Sequence, residues 1–223
     1  MKNHPSEELL KAYADGSIDA CNGLTLAAHL ETCEHCHSKV DELESQASQI
    51  MMEPDAEIDI EQSMMDEIFN NIVCLSKDKT SLNTQKPSVK IEVNGKSFVL
   101  PKSLRGVSKR LSEWKSYGGK VYTAHLDLGE EERVSLLYIA GGVQVPQHTH
   151  KGVETTLVLH GSFSDEEGYY SEGDYIVADG SIKHSPRTEE GQDCLCLTVL
   201  SEPMVFTQGV ARVFNIFGKG MYP

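Results

Sequence analysis

The sequence predicts an α+β, multidomain chain, a small N-terminal helical bundle followed by a C-terminal β-barrel. Two changes along its 223 residues carry that prediction. Apolar residues recur at three- and four-residue steps up to about residue 75, and at two-residue steps after about residue 88. Between the two regimes lies KDKTSLNTQKP, residues 77–87, polar and closed by proline as a linker is. The expected division is therefore a helical domain over 1–76, a linker over 77–87 and a barrel domain over 88–223.

The helices follow in order. Ser6 is placed to cap a first helix carrying Glu7 and Glu8 in its opening turn and Leu9, Leu10 and Tyr13 on its apolar side, with Gly16 as its stop. Leu24, Ala27, Ala28 and Leu30 mark a second helix that ends near Cys33. A third starts near Cys36, with Val40, Leu43, Ala47 and Ile50 in step. After Pro54, residues Ile60, Met64, Ile68 and Ile72, flanked by Met65, Phe69 and Val73, give a fourth amphipathic helix. Such a stripe either closes the bundle core or meets a partner. Beyond the linker, residues 89–93 and 97–100 around Asn94-Gly95 predict a β-hairpin. Further strands are expected at 121–128, 134–139, 155–159, 175–177 and 194–200, and many short strands between Gly, Asp, Glu and Pro turns make a sandwich or barrel.

Charge narrows the function. Asp plus Glu is 34 against 20 Lys plus Arg, a net charge of -14, and residues 1–86 hold 17 of the acids and only 6 of the bases. An acidic surface repels a phosphate backbone, which excludes direct nucleic-acid binding and favours a basic protein partner. No apolar run approaches the roughly 20 residues of a membrane span, and the polar N-terminus lacks a signal-peptide core. A cytoplasmic protein without membrane attachment is expected, so its six cysteines are read as thiols, metal ligands or redox groups before disulfides.

His29, Cys33 and Cys36 form H-x3-C-x2-C. On a helix His29 and Cys33 lie one turn apart on one face, and Cys36, just past the helix end, folds back to the same ion. His4 is the expected fourth ligand. His35 and His37 compete for that place but sit crowded against the cysteines. Two thiolates and two imidazoles suit Zn(II) in a closed tetrahedron, a structural site with no open position for catalysis. A bundle below about 80 residues has a thin core, so the ion is expected to contribute much of its folding free energy.

A second donor set lies between Gly142 and Gly161. His148 and His150 are i, i+2 on a strand and face one side of the sheet, Glu154 returns on the next strand, and His184 supplies a third imidazole. Three imidazoles and a carboxylate suit a divalent metal, zinc first, with manganese, iron or nickel as the others. The spacing G-x5-H-x-H-x3-E-x6-G matches the first cupin motif at every fixed position. The second motif runs from Gly173 to His184 but departs from the usual pattern, with Asp179 for proline, Ser181 for glycine and Thr188 for asparagine, which affects the shape of the turn more than the ligand. His125 and His160 are read as packed or hydrogen-bonded, Cys194 and Cys196 as small buried residues on one side of a strand, and Trp114 as a loop residue.

The combination of a short zinc helical domain bearing His4, His29, Cys33 and Cys36 with a linker and a cupin resembles anti-sigma factors of the ChrR type, from His4 to about Leu200. That resemblance implies a regulator whose N-terminal zinc domain binds and inhibits an extracytoplasmic-function type sigma factor by hiding its polymerase- and promoter-binding surfaces. It further implies that the cupin is dispensable for inhibition and required for release under oxidants such as singlet oxygen or organic hydroperoxides. The competing expectation is an enzyme, a cupin dioxygenase or isomerase with an appended zinc domain, because three His and one Glu leave coordination positions for oxygen or a substrate.

Overall fold

The computed structural model describes residues 3–51, 61–75, 87–213 and 215. Four helices come first: α1 (Glu7–Ala14), α2 (Ala20–Leu30), α3 (Glu34–Met51) and α4 (Gln62–Cys74). Ser6 caps α1 by accepting from the Leu9 amide, and Asp19 caps α2 in the same way at Asn22. α1 lies against α3, and Leu10, Leu26 and Val40 enclose a small core with Cys33 and Cys36. Cys36 lies past the end of α2, as expected, in the first turn of α3, where the sulfur of Cys33, just before that helix, accepts from the Cys36 amide at 3.5 Å. Ile60 and the linker residues 77–86 lie outside the described residues.

The second half is antiparallel throughout. β1 (Lys90–Val93) and β2 (Lys96–Val99) form the predicted hairpin, with φ of 51° at Asn94 and 74° at Gly95 as a two-residue primed turn requires. The short helix α5 (Lys102–Arg105) follows, then β3 (Lys115–Tyr117), β4 (Val121–Leu126), β5 (Arg133–Ile139), β6 (His148–His150), β7 (Glu154–Ser164), β8 (Tyr169–Ser171), β9 (Tyr175–Ala178), β10 (Cys194–Leu200) and β11 (Met204–Phe206). The main sheet runs β3-β4-β5-β10-β7-β8 with β9 also on β7, and β6 pairs with β11 in a smaller sheet across the interior. The strand expected at 155–159 is longer, from Glu154 to Ser164, since β7 continues past Gly161 to pair with β8. Three-residue strands such as β6, β8 and β11 are too short to display a period.

Every residue of β10 is buried, which alternation alone does not predict. The reason is that both faces are covered. Leu195, Leu197 and Val199 join Cys21 and Ala28 of α2, while Cys194 and Cys196 point the other way to Val158, Phe163 and Tyr170. Helix α2 therefore roofs the outside of the main sheet, and bundle and barrel share one continuous apolar cluster. Among the described residues no helix is long and apolar enough to cross a membrane.

Gly161 closes the first motif for a steric reason. Its φ is +76°, and a Cβ there would overlap the carbonyl oxygen of Asp193 at the start of the neighbouring chain segment. Gly161→Ala is expected to lower stability by about 3 kcal/mol in urea unfolding, whereas Gly106→Ala, where added carbon meets nothing within 4 Å, is expected to change it by less than about 1 kcal/mol.

Candidate metal centres

The bundle brings His4, His29, Cys33 and Cys36 together, with one ligand atom from each lying within 4.8 Å of all the others. His4 Nδ1 is 3.4 Å from Cys33 Sγ and 3.3 Å from Cys36 Sγ. A tetrahedral ion with Zn–S of about 2.3 Å and Zn–N of about 2.0 Å sets S···N edges near 3.5 Å, so the donors have the right spread. His29 adds chemical evidence. The Gly173 carbonyl can only accept, so His29 Nδ1 carries the proton at 2.9 Å from it, and Nε2 is left as a buried lone pair with no hydrogen-bond partner. Burial and the adjacent Cys33 sulfur push the Cys36 thiol up to about 12, and a cation at the cluster is what turns such a thiol into thiolate. His35 stays exposed and His37 turns outward to Asp41 at 3.0 Å, so neither joins the set.

The barrel brings His148, His150, Glu154 and His184 together, all buried. His150 Nε2 stands 3.1 Å from Glu154 Oε2 and 3.2 Å from His184 Nε2, and His184 Nε2 stands 3.0 Å from His148 Nε2. Donors at right angles about 2.1 Å from one ion are about 3.0 Å apart, which these three distances match, while His184 Nε2 lies farther from Glu154 Oε2, at 3.9 Å. His148 Nδ1 donates to the Pro146 carbonyl at 2.9 Å and His184 Nδ1 faces Asp165 Oδ2 at 3.0 Å. Both Nε2 atoms therefore point their lone pairs inward, an approach that a shared cation relieves. Burial, with His184 nearby, holds His148 down at about 4, and burial, with His148 nearby, holds His150 at about 3, so both are neutral donors at pH 7. Burial lifts Glu154 to about 7. It opposes charge on His184 too, but the Asp165 and Glu154 carboxylates outweigh it and raise that pKa.

The altered second motif keeps its turn by other means. Asp179 Oδ1 accepts from the Ser181 amide at 2.8 Å, a side-chain-closed turn in place of the usual proline and glycine. Thr188 Oγ1 donates to the Ala140 carbonyl at 2.6 Å and accepts from the Val143 amide at 3.2 Å, tying the end of this motif to the beginning of the first. Asp165, and Glu166 which accepts from the Ser185 amide at 2.8 Å, hold His184 in place and carry no signature in sequence beyond a polar turn. His125 and His160 are hydrogen-bonded to the carbonyls of Val134 and Val99.

A cavity of about 580 Å³ is lined by His148, Glu154 and His184 and by a mostly apolar remainder that includes Leu137, Ile139, Phe163, Met204 and Phe206, with Thr123, Gln144 and Thr156 among its polar members. Cys196 also lines it, its sulfur 3.5 Å from that of Cys194. The hydrogen bond with Cys194 and burial both raise the Cys196 thiol, which disfavours its thiolate.

A cupin barrel with a buried three-histidine, one-glutamate cluster, roofed by a helical bundle with a two-cysteine, two-histidine cluster, defines a two-part regulator class. The description "ChrR Cupin-like domain" matches residues 106–203. The anti-sigma-E factor ChrR of Cereibacter sphaeroides is 30% identical over 220 residues, 97% of this chain and 98% of that protein. The crystal structure of Rhodobacter sphaeroides SigE in complex with the anti-sigma ChrR superposes with a TM-score of 0.65 at 31% identity, over 89% of this chain and 98% of that one. An RmlC-like cupin protein of Ralstonia eutropha is similar over 43% of this chain and 67% of its own, at 20% identity and a TM-score of 0.39. The chain belongs to the ChrR family of anti-sigma factors, a family of regulators, and the enzyme expectation is set aside.

A divalent ion offered to the barrel cluster is expected to bind, and Asp165→Asn, which weakens the hold on His184 Nδ1, is expected to lower that affinity about 10- to 100-fold in chelator competition while leaving the circular dichroism spectrum unchanged.

Proposed function

We propose that this chain is a cytoplasmic anti-sigma factor that binds and inhibits an extracytoplasmic-function type sigma factor through its helical domain, residues 1–76, and that its cupin domain, residues 88–223, governs release under oxidative stress. One observation supports the docking reading above the rest. No described residue of α4 is buried, and Phe69, Ile72 and Val73 are 65%, 62% and 62% exposed beside Met64 and Ile68. The stripe read from sequence thus does not close the bundle core. An isolated helix of this length is marginal in water, and its apolar face calls for a groove on a partner. The acidic residues of this segment, Glu61, Asp66 and Glu67, suit a basic partner such as a DNA-binding sigma factor. Family membership agrees, since the matched relative is an anti-sigma factor and the matched crystal structure holds one with its sigma factor.

In this reading His4, His29, Cys33 and Cys36 hold Zn(II), which stabilises the fold of the bundle and takes no part in chemistry. His148, His150, Glu154 and His184 hold a divalent metal, zinc first, with coordination positions facing the apolar cavity. A zinc ion bound there would supply Lewis-acid chemistry, and manganese, iron or nickel would add redox chemistry, toward a small oxidant of the singlet oxygen or organic hydroperoxide class. The residues do the rest: Asp165 and Pro146 orient the rings, and the apolar walls exclude bulk water. Residues 77–87 join the two parts as a linker.

Phe69→Glu in the full chain is expected to weaken sigma binding by at least about 30-fold in co-elution and titration with the cognate sigma factor, with the barrel unaffected. Unchanged affinity would overturn α4 as the docking face. His148→Ala is expected to repress a sigma-dependent reporter as wild type does and to lose induction by oxidant. Full induction in that variant, with its barrel free of metal, would contradict sensing by the cupin centre.

A further inference from the structure

The two ligand clusters are assigned to different parts of the chain, yet two of the four bundle ligands are held from the barrel side. We propose that the turn Gly173, Asp174 and Tyr175, between β8 and β9, is the outer shell of the bundle's zinc site, so that zinc binding and the docking of the bundle on the barrel are one coupled equilibrium. The inference rests on the zinc reading above and adds to it the part of the protein that positions the ligands.

Three contacts carry it. The Gly173 carbonyl takes the Nδ1 proton of the fully buried His29 at 2.9 Å, and this leaves Nε2 as the donor toward Cys33 and Cys36. Metal-bound histidines regularly give their second N–H to such an acceptor, which sets tautomer and ring angle. Next, Asn3, adjacent to His4, is fastened on both backbone sides, its amide to Asp174 Oδ1 at 2.9 Å and its carbonyl to the Tyr175 amide at 3.1 Å. Third, the Tyr175 ring meets the edge of the His29 ring at 5.7 Å between centroids. The bundle's own helices supply no comparable partner for His29 Nδ1.

The turn itself is rigid. The Gly173 amide donates to the Val158 carbonyl at 2.8 Å, the Asp174 carbonyl accepts from the Val158 amide at 3.1 Å, and Asp174 Oδ2 accepts from the Ser171 amide at 2.8 Å. Val158 lies on β7, whose first residue is Glu154, and β9 leaves the turn paired to β7 with Ala178 opposite Glu154. The segment that positions the zinc ligands is thus hydrogen-bonded to the strand that begins with Glu154. Glu31, at the end of α2, strengthens the same docking by accepting from the Lys102 and Ser103 amides at 2.8 and 2.7 Å. By linkage, whatever factor the docked barrel adds to zinc affinity, zinc adds to docking.

The test uses the full chain and cobalt(II), whose sulfur-to-metal charge-transfer absorption reports the two-thiolate cluster and is silent at the barrel cluster. Zinc is titrated against the cobalt form, and cobalt against a chelator, in wild type, Asp174→Ala and Asn3→Pro. The proline variant removes the Asn3 amide donor at the chain's edge without disturbing the barrel, so it decides the matter if Asp174→Ala does not fold. Both variants are expected to bind cobalt and zinc at the thiolate cluster about 10- to 100-fold more weakly, with an unchanged circular dichroism spectrum for the metal-loaded Asn3→Pro chain. Wild-type affinity in the folded variants would overturn the outer-shell role and leave the zinc site standing. A wild-type chain with no thiolate band would overturn the zinc reading itself.

Discussion

An imidazole has two nitrogens, and in His29 each is committed to a different part of the molecule. Nδ1–H donates a hydrogen bond to the Gly173 carbonyl of the barrel, and Nε2 belongs to the cluster with the two cysteines of the bundle. Because the ring is fully buried, neither nitrogen can fall back on water, and an unpaired polar atom there costs on the order of 1–3 kcal/mol. The arrangement is therefore satisfied only when the bundle sits on the barrel and a cation, or a proton, meets Nε2. The shared apolar cluster of α2 with β10 has the same effect in apolar terms, since separating the parts would expose Leu195 and Leu197 of the central strand.

Around this fixed contact the chain separates what must stay still from what must meet a partner. α1, α2 and α3 are anchored by capping, by the four-ligand cluster and by the barrel, whereas α4 presents its apolar stripe outward. The apolar stripe of α4 and the donor cluster that lines the barrel cavity thus lie in separate parts of the chain. If, as proposed, an oxidant acts at the barrel, it must favour one arrangement of bundle and barrel over another, since a ligand that treats both alike shifts nothing. The β7–β9 pairing runs from Glu154 to the turn that holds His29 and is a hydrogen-bonded route between the two clusters.

Much of this was legible in the sequence, because the informative features are local. His29 and Cys33 one helical turn apart, His148 and His150 two residues apart on a strand, and the Asn94-Gly95 turn each follow from a single period or backbone preference. The fourth ligands His4 and His184 are distant in sequence, and the donor count of a metal site is what demanded them. What escaped the sequence is non-local or main-chain. Gly173 acts through its carbonyl, which any residue possesses, and Asp165 is one acid among several in a polar turn. The uniform burial of β10 depends on α2 covering its outer face, which no pattern within Cys194–Leu200 reveals. The substitutions at Asp179, Ser181 and Thr188 left the shape of the second motif open, and the hydrogen bonds that replace the usual residues are visible only in three dimensions.

Barrel and bundle meet at one histidine, His29, whose two nitrogens face the two halves. Long-range proton–nitrogen NMR of the zinc-loaded, full-length chain measures the state of that ring directly. The account predicts that His29 carries a slowly exchanging proton on Nδ1 and a metal-shifted Nε2. A proton on Nε2, or a ring averaging between both tautomers in the zinc-loaded protein, would contradict it.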